Sequence, residues 1–139
     1  NDPVDRSVFA NSVTLNDQES FLEDLYDNLK QQYIPIELIH AESGPGQLEV
    51  VLEYSTDPII MADNIVLCRE TIRAVARNHG LKALFTPKYD LMAAGNGMHL
   101  HFSTRNATTK EPNFCCQHHQ GMSSSSALTP TPGGAFVEG

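Results

Sequence analysis

Residues 35–54, PIELIHAESGPGQLEVVLEY, hold two segments of strand-like composition around the turn-forming residues SGPG. In the first segment Pro35 stands near the start, where a missing backbone donor matters least. In the second segment Leu48, Val50 and Leu52 alternate with a mostly polar set, which is typical of a strand with one apolar face. We therefore predict an antiparallel hairpin over these residues.

Helical periodicity appears on both sides of the hairpin. In residues 15–33, Asn16 and Glu19 occupy the positions of a capping box. The apolar stripe of this segment is Phe21, Leu22, Leu25, Tyr26, Leu29 and Tyr33. Residues 55–80 have Thr56 or Asp57 as the cap, Pro58 at the first helical position and Gly80 after the last turn. The predicted buried stripe of this second helix is Ile65, Cys68, Ile72, Val75, Ala76 and His79.

The order of the segments predicts the fold class. Residues 7–15, 81–90 and 97–105 have the composition of short strands. Strand, helix, hairpin, helix and two strands together predict an α+β domain in which helices cover one face of an antiparallel sheet. We place this domain at residues 1–105. Residues 106–139 lose periodicity and include GMSSSSALTPTPGG, which predicts an irregular, low-complexity segment.

The net charge and the cysteine count indicate which partners and which cellular compartment the chain suits. The 139 residues suffice for one domain at most, and nine basic against 17 acidic residues give a net charge of -8. This charge opposes binding to nucleic acid or to an anionic membrane. The amino terminus lacks the pattern of a signal peptide, and an odd cysteine count with Cys115 beside Cys116 favours a reducing compartment. We expect a cytoplasmic protein of which this chain is a piece.

Residues 95–103, GNGMHLHFS, place polar groups at every second position. In an extended conformation His99, His101 and Ser103 share one face, and the alternate residues, Met98, Leu100 and Phe102, would point into the core. A His-x-His pair on a strand is more often half-exposed than a metal site. A metal hydrolase centre on these histidines would need further ligands, such as Asp63 or Asp90.

The same parity brings acidic groups together on the hairpin. His40 and Glu42 lie on one side of the first strand, and Gln47 and Glu49 lie on one side of the second. Clustered carboxylates repel one another unless a cation compensates. Two glutamates with one imidazole favour Mg²⁺ or Mn²⁺ over structural zinc, although exposed glutamates on a hairpin are commonly just solvated.

The blocks HAESGPGQLE, a long helix, FTPKY and GNGMHLHFS occur in this order, and over residues 8–103 they resemble the central part of the catalytic domain of the glutamine synthetase family. The resemblance implies an ATP-dependent ligase that joins glutamate and ammonia through an acyl phosphate, with Mg²⁺ or Mn²⁺ as cofactor. It also implies a homo-oligomeric full-length protein with active sites between subunits. We expect the isolated segment to be inactive, because parts of the site lie outside it.

Particular residues match the motifs of this family. Glu42 and Glu49 match the ligands of one metal, and His99 matches a ligand of a second metal near the ATP phosphates. Gly95 matches a backbone contact to the amino-acid substrate. The positions beside the nucleotide are His40, His101, Ser103, Glu37 and Tyr54. Strand parity puts Glu37 opposite His40 unless a bulge intervenes, and puts Tyr54 opposite Glu49.

Two departures from the pattern concern the substrate. The loop typical of the family reads Asn-Gly-Ser-Gly-Met-His, whereas here Ala94 and Asn96 replace the asparagine and the serine. Tyr89 replaces the last proline of a Pro-Lys-Pro block. Such changes resemble the glutamine-synthetase-like branch with FluG, nodulin-type proteins and γ-glutamyl-amine ligases. A different amine acceptor, or a non-catalytic binding or regulatory module, is therefore an alternative to glutamine synthesis.

Overall fold

The computed structural model describes residues 12–112 and 135–138 of the chain. Its helices are α1 (Ser12–Asp17), α2 (Glu19–Gln31) and α3 (Pro58–Asn78), and its strands are β1 (Ile36–Ala41), β2 (Leu48–Leu52), β3 (Met98–Leu100) and β4 (Ala135–Glu138). The strands form one antiparallel sheet in the order β1-β2-β4-β3. The predicted α+β class, an antiparallel sheet with helices on one face, is confirmed.

The β1–β2 hairpin forms as predicted. His40 pairs with Glu49 and Ala41 pairs with Leu48. Beyond these pairs the Glu42 amide donates to the Gln47 carbonyl at 2.8 Å. Gly46 has a φ of 67°, a left-handed conformation that glycine adopts without steric cost. The turn therefore closes tightly and holds the two strand ends together.

The hydrophobic core lies between the hairpin and the two long helices. Val50 and Leu52 point from β2 toward Leu25 and Leu29 of α2 and Cys68 of α3. Burial raises the pKa of the Cys68 thiol to about 11, because the thiolate is poorly solvated there. The predicted stripes are mostly buried, but Tyr26 and Tyr33 are exposed.

Helix α3 has the predicted ends. The Asp57 carboxylate accepts hydrogen bonds from the amides of Ile59 and Ile60 at 2.8 and 3.4 Å. Pro58 follows at the first helical position, and Gly80 has a φ of 71° after the last turn. Within the described residues, no helix is long and apolar enough to cross a membrane.

The start of α2 differs from the prediction. Residues 12–17 are helical, so the predicted strand is wrong for residues 12–15, while residues 7–11 lie outside the described part. The predicted capping box is also wrong, because Asn16 lies inside α1 and α2 begins after Gln18, which makes no side-chain cap. At the other end, Tyr33 has a φ of 59°, beyond the end of the helix at Gln31.

The carboxyl-terminal part of the fold departs most from expectation. Residues 81–90 form no strand. The Cζ atoms of Arg69 and Arg73 instead lie 4.7 and 5.0 Å from the centre of the Phe85 ring. Residues 135–138, expected to be irregular, form β4 between β2 and β3. Pairing on both edges provides the hydrogen bonds of this strand, a non-local effect that composition does not reveal.

The strand predicted over residues 97–105 is shortened to Met98–Leu100. The expectation that Met98, Leu100 and Phe102 enter the core is wrong, since all three are exposed. The reason is the position of the helices: the buried cluster contains residues of α2, β2 and α3 but none of β3.

Candidate active site

Three side chains converge where the hairpin strands end. One ligand atom from each of His40, Glu42 and Glu49 lies within 4.8 Å of the others. His40 and Glu49 are direct cross-strand partners, and such pairs share a face of the sheet. Their Nε2 and Oε2 atoms are 3.2 Å apart. We call these three residues the triad. The convergence that strand parity predicted for this face is confirmed.

Local hydrogen bonds orient the triad. The Glu42 carboxylate accepts from the amide and hydroxyl groups of Ser43 at 2.8 and 2.9 Å. The Nδ1 atom of His40 lies 3.1 Å from the carbonyl oxygen of Ala41. Both ring nitrogens therefore lie within hydrogen-bond distance of oxygen atoms, which holds the imidazole in one orientation.

The electrostatics of the triad favour a cation. Glu49 is only 5 % exposed, so its charge is largely removed from water. Two carboxylate oxygens that lie within 4.8 Å of each other repel by about 3.5 kcal/mol at the outer limit of that distance, with an effective dielectric constant of about 20. A divalent ion offsets both costs, and an oxygen-rich set with one imidazole suits Mg²⁺ or Mn²⁺. The donor set therefore fits the predicted cofactor.

His99, predicted as a metal ligand, lies on β3 and outside the triad. His99 pairs with Phe136 of β4, and Phe136 pairs in turn with Val51 of β2, so these three positions lie on one face of the sheet. Val51 is two residues from Glu49 on the same strand, so Glu49 lies on that face too. His99 is thus on the triad's face of the sheet. Two strand spacings and two residues of rise put its Cα roughly 12 Å from that of Glu49. His99 therefore stands apart from the triad on the same face, and a second metal at this position stays a prediction.

Glu37 reaches the same face through a bulge. The register shifts between Ile36 and Leu38. Ile36 and Ile39 both pack against the core, so the extra residue leaves Glu37 and Leu38 both exposed on the outer side. The bulge that the parity argument required is present. Tyr54 lies beyond the end of β2 and is 67 % exposed.

The remaining predicted residues flank β3. His101 and Ser103 follow the strand in an exposed stretch without regular structure. Gly95 precedes the strand and accepts a hydrogen bond from Gln47 at 3.0 Å. Within residues 12–112 and 135–138, neither Asp63 nor Asp90 joins His99 and His101 in a cluster of potential ligands. The geometry thus offers no support to the metal hydrolase alternative.

Asn96 makes a contact with Gln47 that the sequence did not lead us to expect. Its Oδ1 accepts from Gln47 Nε2 at 2.8 Å, which ties the loop before β3 to the hairpin. The signal in the sequence was the replacement of the serine typical of the family, which we interpreted only in terms of substrate choice. Residues 84–97 are called the β3 loop below.

Comparison with known proteins agrees with the motifs. Residues 2–136 match the family described as glutamine synthetase, catalytic domain. Type-1 glutamine synthetase 1 of Dictyostelium discoideum is 36% identical over 100 residues, which are 72% of this chain and 20% of the relative. Gamma-glutamylpolyamine synthetase GlnA3 of Streptomyces coelicolor is 40% identical over 94 residues, 68% of this chain and 19% of the relative. Glutamine synthetase of Thermus thermophilus is 34% identical over 99 residues, with shares of 71% and 22%.

The chain spans about a fifth of the length of these relatives. The match nevertheless runs through both hairpin strands, α3 and the β3 loop, and so includes the elements that position the triad. On this evidence the chain belongs to the glutamine synthetase catalytic-domain family.

Proposed function

We propose that the protein carrying this chain is an ATP-dependent carboxylate–amine ligase, with glutamate as the acid substrate. Its γ-carboxylate would take the terminal phosphoryl group of ATP, and ammonia or an amine would then displace phosphate. The observation that carries the proposal is the triad: a buried glutamate, a second glutamate and a histidine on one sheet face, held within 4.8 Å.

In this proposal His40, Glu42 and Glu49 hold one Mg²⁺ or Mn²⁺ ion. The ion would supply positive charge that neutralises phosphate and carboxylate oxygens and orients them. The protein's part is to keep its ligands fixed before the ion arrives. Glu49 does so from near the start of β2, which is paired on both edges, and Glu42 from a turn closed by the Gln47 carbonyl. His40 is thereby assigned to this metal, in addition to the predicted place near the phosphates.

The nucleotide would lie along the same face, toward β3. His99 is assigned to the second metal, and the residues assigned to the nucleotide side are His40, His101, Ser103, Glu37 and Tyr54. A net charge of -8 repels ATP, so binding depends on cations between the phosphates and the protein. Gly95 is assigned to the acid substrate, because the β3 loop lies beside the hairpin turn that carries Glu42.

A second candidate is a γ-glutamyl-amine ligase that uses an organic amine instead of ammonia. Ala94 and Asn96 depart from the loop typical of glutamine synthetases, as in the glutamine-synthetase-like branch. The relative from Streptomyces coelicolor is named a gamma-glutamylpolyamine synthetase. The net charge of -8 on this chain attracts a cationic amine, which also agrees with this candidate. A cytoplasmic, homo-oligomeric protein remains our expectation for either acceptor.

ADP formation by the intact protein tests the proposal. Purified protein is given ATP, Mg²⁺ or Mn²⁺ and glutamate, with ammonia in one series and a polyamine in another. We expect ADP release that needs glutamate, the metal and one of the two amines. The preferred series identifies the acceptor. Absence of ADP in every series, from folded protein, would instead favour a non-catalytic module.

A further inference from the structure

Gln47 connects the triad's hairpin to the β3 loop. Its Oε1 accepts from the Gly44 amide at 2.8 Å, and its Nε2 donates to the Gly95 carbonyl at 3.0 Å and to Asn96 Oδ1 at 2.8 Å. Its own carbonyl accepts from the Glu42 amide at 2.8 Å. One residue therefore holds both the turn that carries Glu42 and a loop 48 residues further along the chain.

Asn96 closes the β3 loop from the other side. Its Nδ2 donates to the carbonyls of Leu84 and Thr86 at 3.3 and 2.9 Å, and its amide donates to the Pro87 carbonyl at 2.8 Å. Its remaining side-chain oxygen accepts from Gln47. A single asparagine thus fixes both ends of the loop and docks the loop on the hairpin.

Two glycines lie so close to neighbouring atoms that a side chain at either position would disturb the contact between the hairpin turn and the β3 loop. A Cβ atom on Gly95 would lie 2.7 Å from the Pro87 carbonyl oxygen, and one on Gly44 would lie 2.8 Å from Gln47 Oε1. The contact at Gly95 is with backbone, which cannot easily move, whereas the contact at Gly44 is with the end of the Gln47 side chain, which would have to leave its place in the hydrogen-bond network. Gln47 and Asn96 are themselves half-buried, so their hydrogen bonds compete less with water than surface contacts do.

We propose that Gln47 and Asn96 form a clamp that fixes the distance between the β3 loop and Glu42, and that this distance sets the affinity for the acid substrate. The proposal rests on the ligase function above, because it places that substrate between the loop and the triad. Gln47 and Asn96 are positioning residues in it. Their side chains bond the hairpin turn and the β3 loop instead of the triad side chains, so the clamp should govern acid binding more than the chemical step.

The test compares Asn96→Ala, Gln47→Ala and the double variant in the intact protein. The matched control is Gln32→Ala, which removes a side-chain hydrogen bond to Thr71 of 2.9 Å between α2 and α3, away from the triad. Amide hydrogen exchange is followed at Gly44 and at Asn96, whose amides are donors within the clamp. KM for glutamate, KM for ATP and kcat are measured with the amine that supports turnover.

We expect exchange at both amides to rise by about tenfold in each clamp variant and to stay at the wild-type rate in Gln32→Ala, because one lost hydrogen bond of about 1.4 kcal/mol corresponds to a factor of ten. KM for glutamate should rise by about tenfold, while kcat and KM for ATP stay within about threefold. The double variant should raise exchange by less than the product of the two single effects, because both single variants already lose the shared hydrogen bond between Gln47 and Asn96.

Three other results would overturn the clamp, its role in acid binding, or the ligase function. Unchanged exchange in Asn96→Ala, or an equal rise in Gln32→Ala, overturns the clamp. Faster exchange with an unaltered KM for glutamate overturns its role in acid binding. If the wild-type protein forms no ADP at all, the ligase function and the acid-binding role fail together, while the exchange rates still decide whether the clamp exists.

Discussion

Replacing Glu49 by Gln separates a metal site from a purely structural cluster. The amide has nearly the same size as the carboxylate and can still accept a hydrogen bond from His40, so the 3.2 Å contact can persist. The negative charge is lost, however, and with it the repulsion from Glu42. The two carboxylate oxygens lie within 4.8 Å of each other, and at the outer limit of that distance the repulsion is about 3.5 kcal/mol with an effective dielectric constant of about 20; partial exposure of Glu42 reduces it.

Metal-free Glu49→Gln protein should therefore be as stable as the wild type or more stable. Added metal should stabilise the wild type more than the variant. A single site filled at 100 times its dissociation constant adds about 2.7 kcal/mol of stability to the wild type. With one of its two carboxylates gone, the variant should lose nearly all of this gain. Turnover with ATP should fall by at least about a hundredfold, since a lost ligand costs no less than a lost supporting contact.

The assay is denaturant unfolding of the intact protein, after chelation and again with Mn²⁺, together with calorimetric titration of Mn²⁺. The matched control is Glu53→Gln, which removes an exposed carboxylate four residues away that is outside the triad. We expect the control to keep both the metal affinity and the stability gain. A variant that is destabilised without metal, yet binds Mn²⁺ like the wild type, would refute the reasoning and make the cluster a structural hydrogen-bond site.

Three further predictions concern the fold. Because burial raises the pKa of Cys68 from 9.0 to about 11, the unfolded chain loses the thiol proton first, and about 2–3 kcal/mol of stability should disappear as pH rises from 9 to 11. Unfolding of wild type and Cys68→Ala across this range should show a steeper loss of stability in the wild type; parallel curves would contradict the assignment. Asp57→Ala should cost about 1 kcal/mol by removing the cap of α3, whereas Asp63→Ala, exposed in the same helix, should cost much less in the same unfolding assay. Phe85→Leu should cost about 1–2 kcal/mol through two lost guanidinium contacts, and a double-mutant cycle with Arg69→Met should show coupling; additive effects would dismiss the contact.

Local rules explain why much of the site was predictable. The period-two pattern puts His40 and Glu42 on one side of the first strand and Glu49 on one side of the second, because each strand alternates its faces. The register of the hairpin, in which His40 pairs with Glu49, then brings the two sides together. The cap at Asp57 and the glycine after α3 depend only on neighbouring residues. Strand alternation puts Glu37 on the same face as His40 only if a bulge lies between them, and the structure has such a bulge. No local feature of the sequence revealed that bulge.

The rest depends on contacts between distant parts of the chain. β4 comes from a segment without strand character and is inserted between β2 and β3, so His99 lies one strand further from the triad than direct β2–β3 pairing would place it. Residues 81–90 have strand-like composition but are held by α3 and Asn96 instead of a neighbouring strand. Tertiary contacts of this kind override local propensity.

The most direct test of the account is to locate manganese by anomalous diffraction in crystals of the intact protein grown with Mn²⁺. We expect an anomalous peak roughly 2.0–2.6 Å from the carboxylate oxygens of Glu42 and Glu49, with the His40 imidazole in contact. Manganese bound at other places while the triad shows no peak, with both carboxylates hydrogen-bonded only to protein and water, would contradict it.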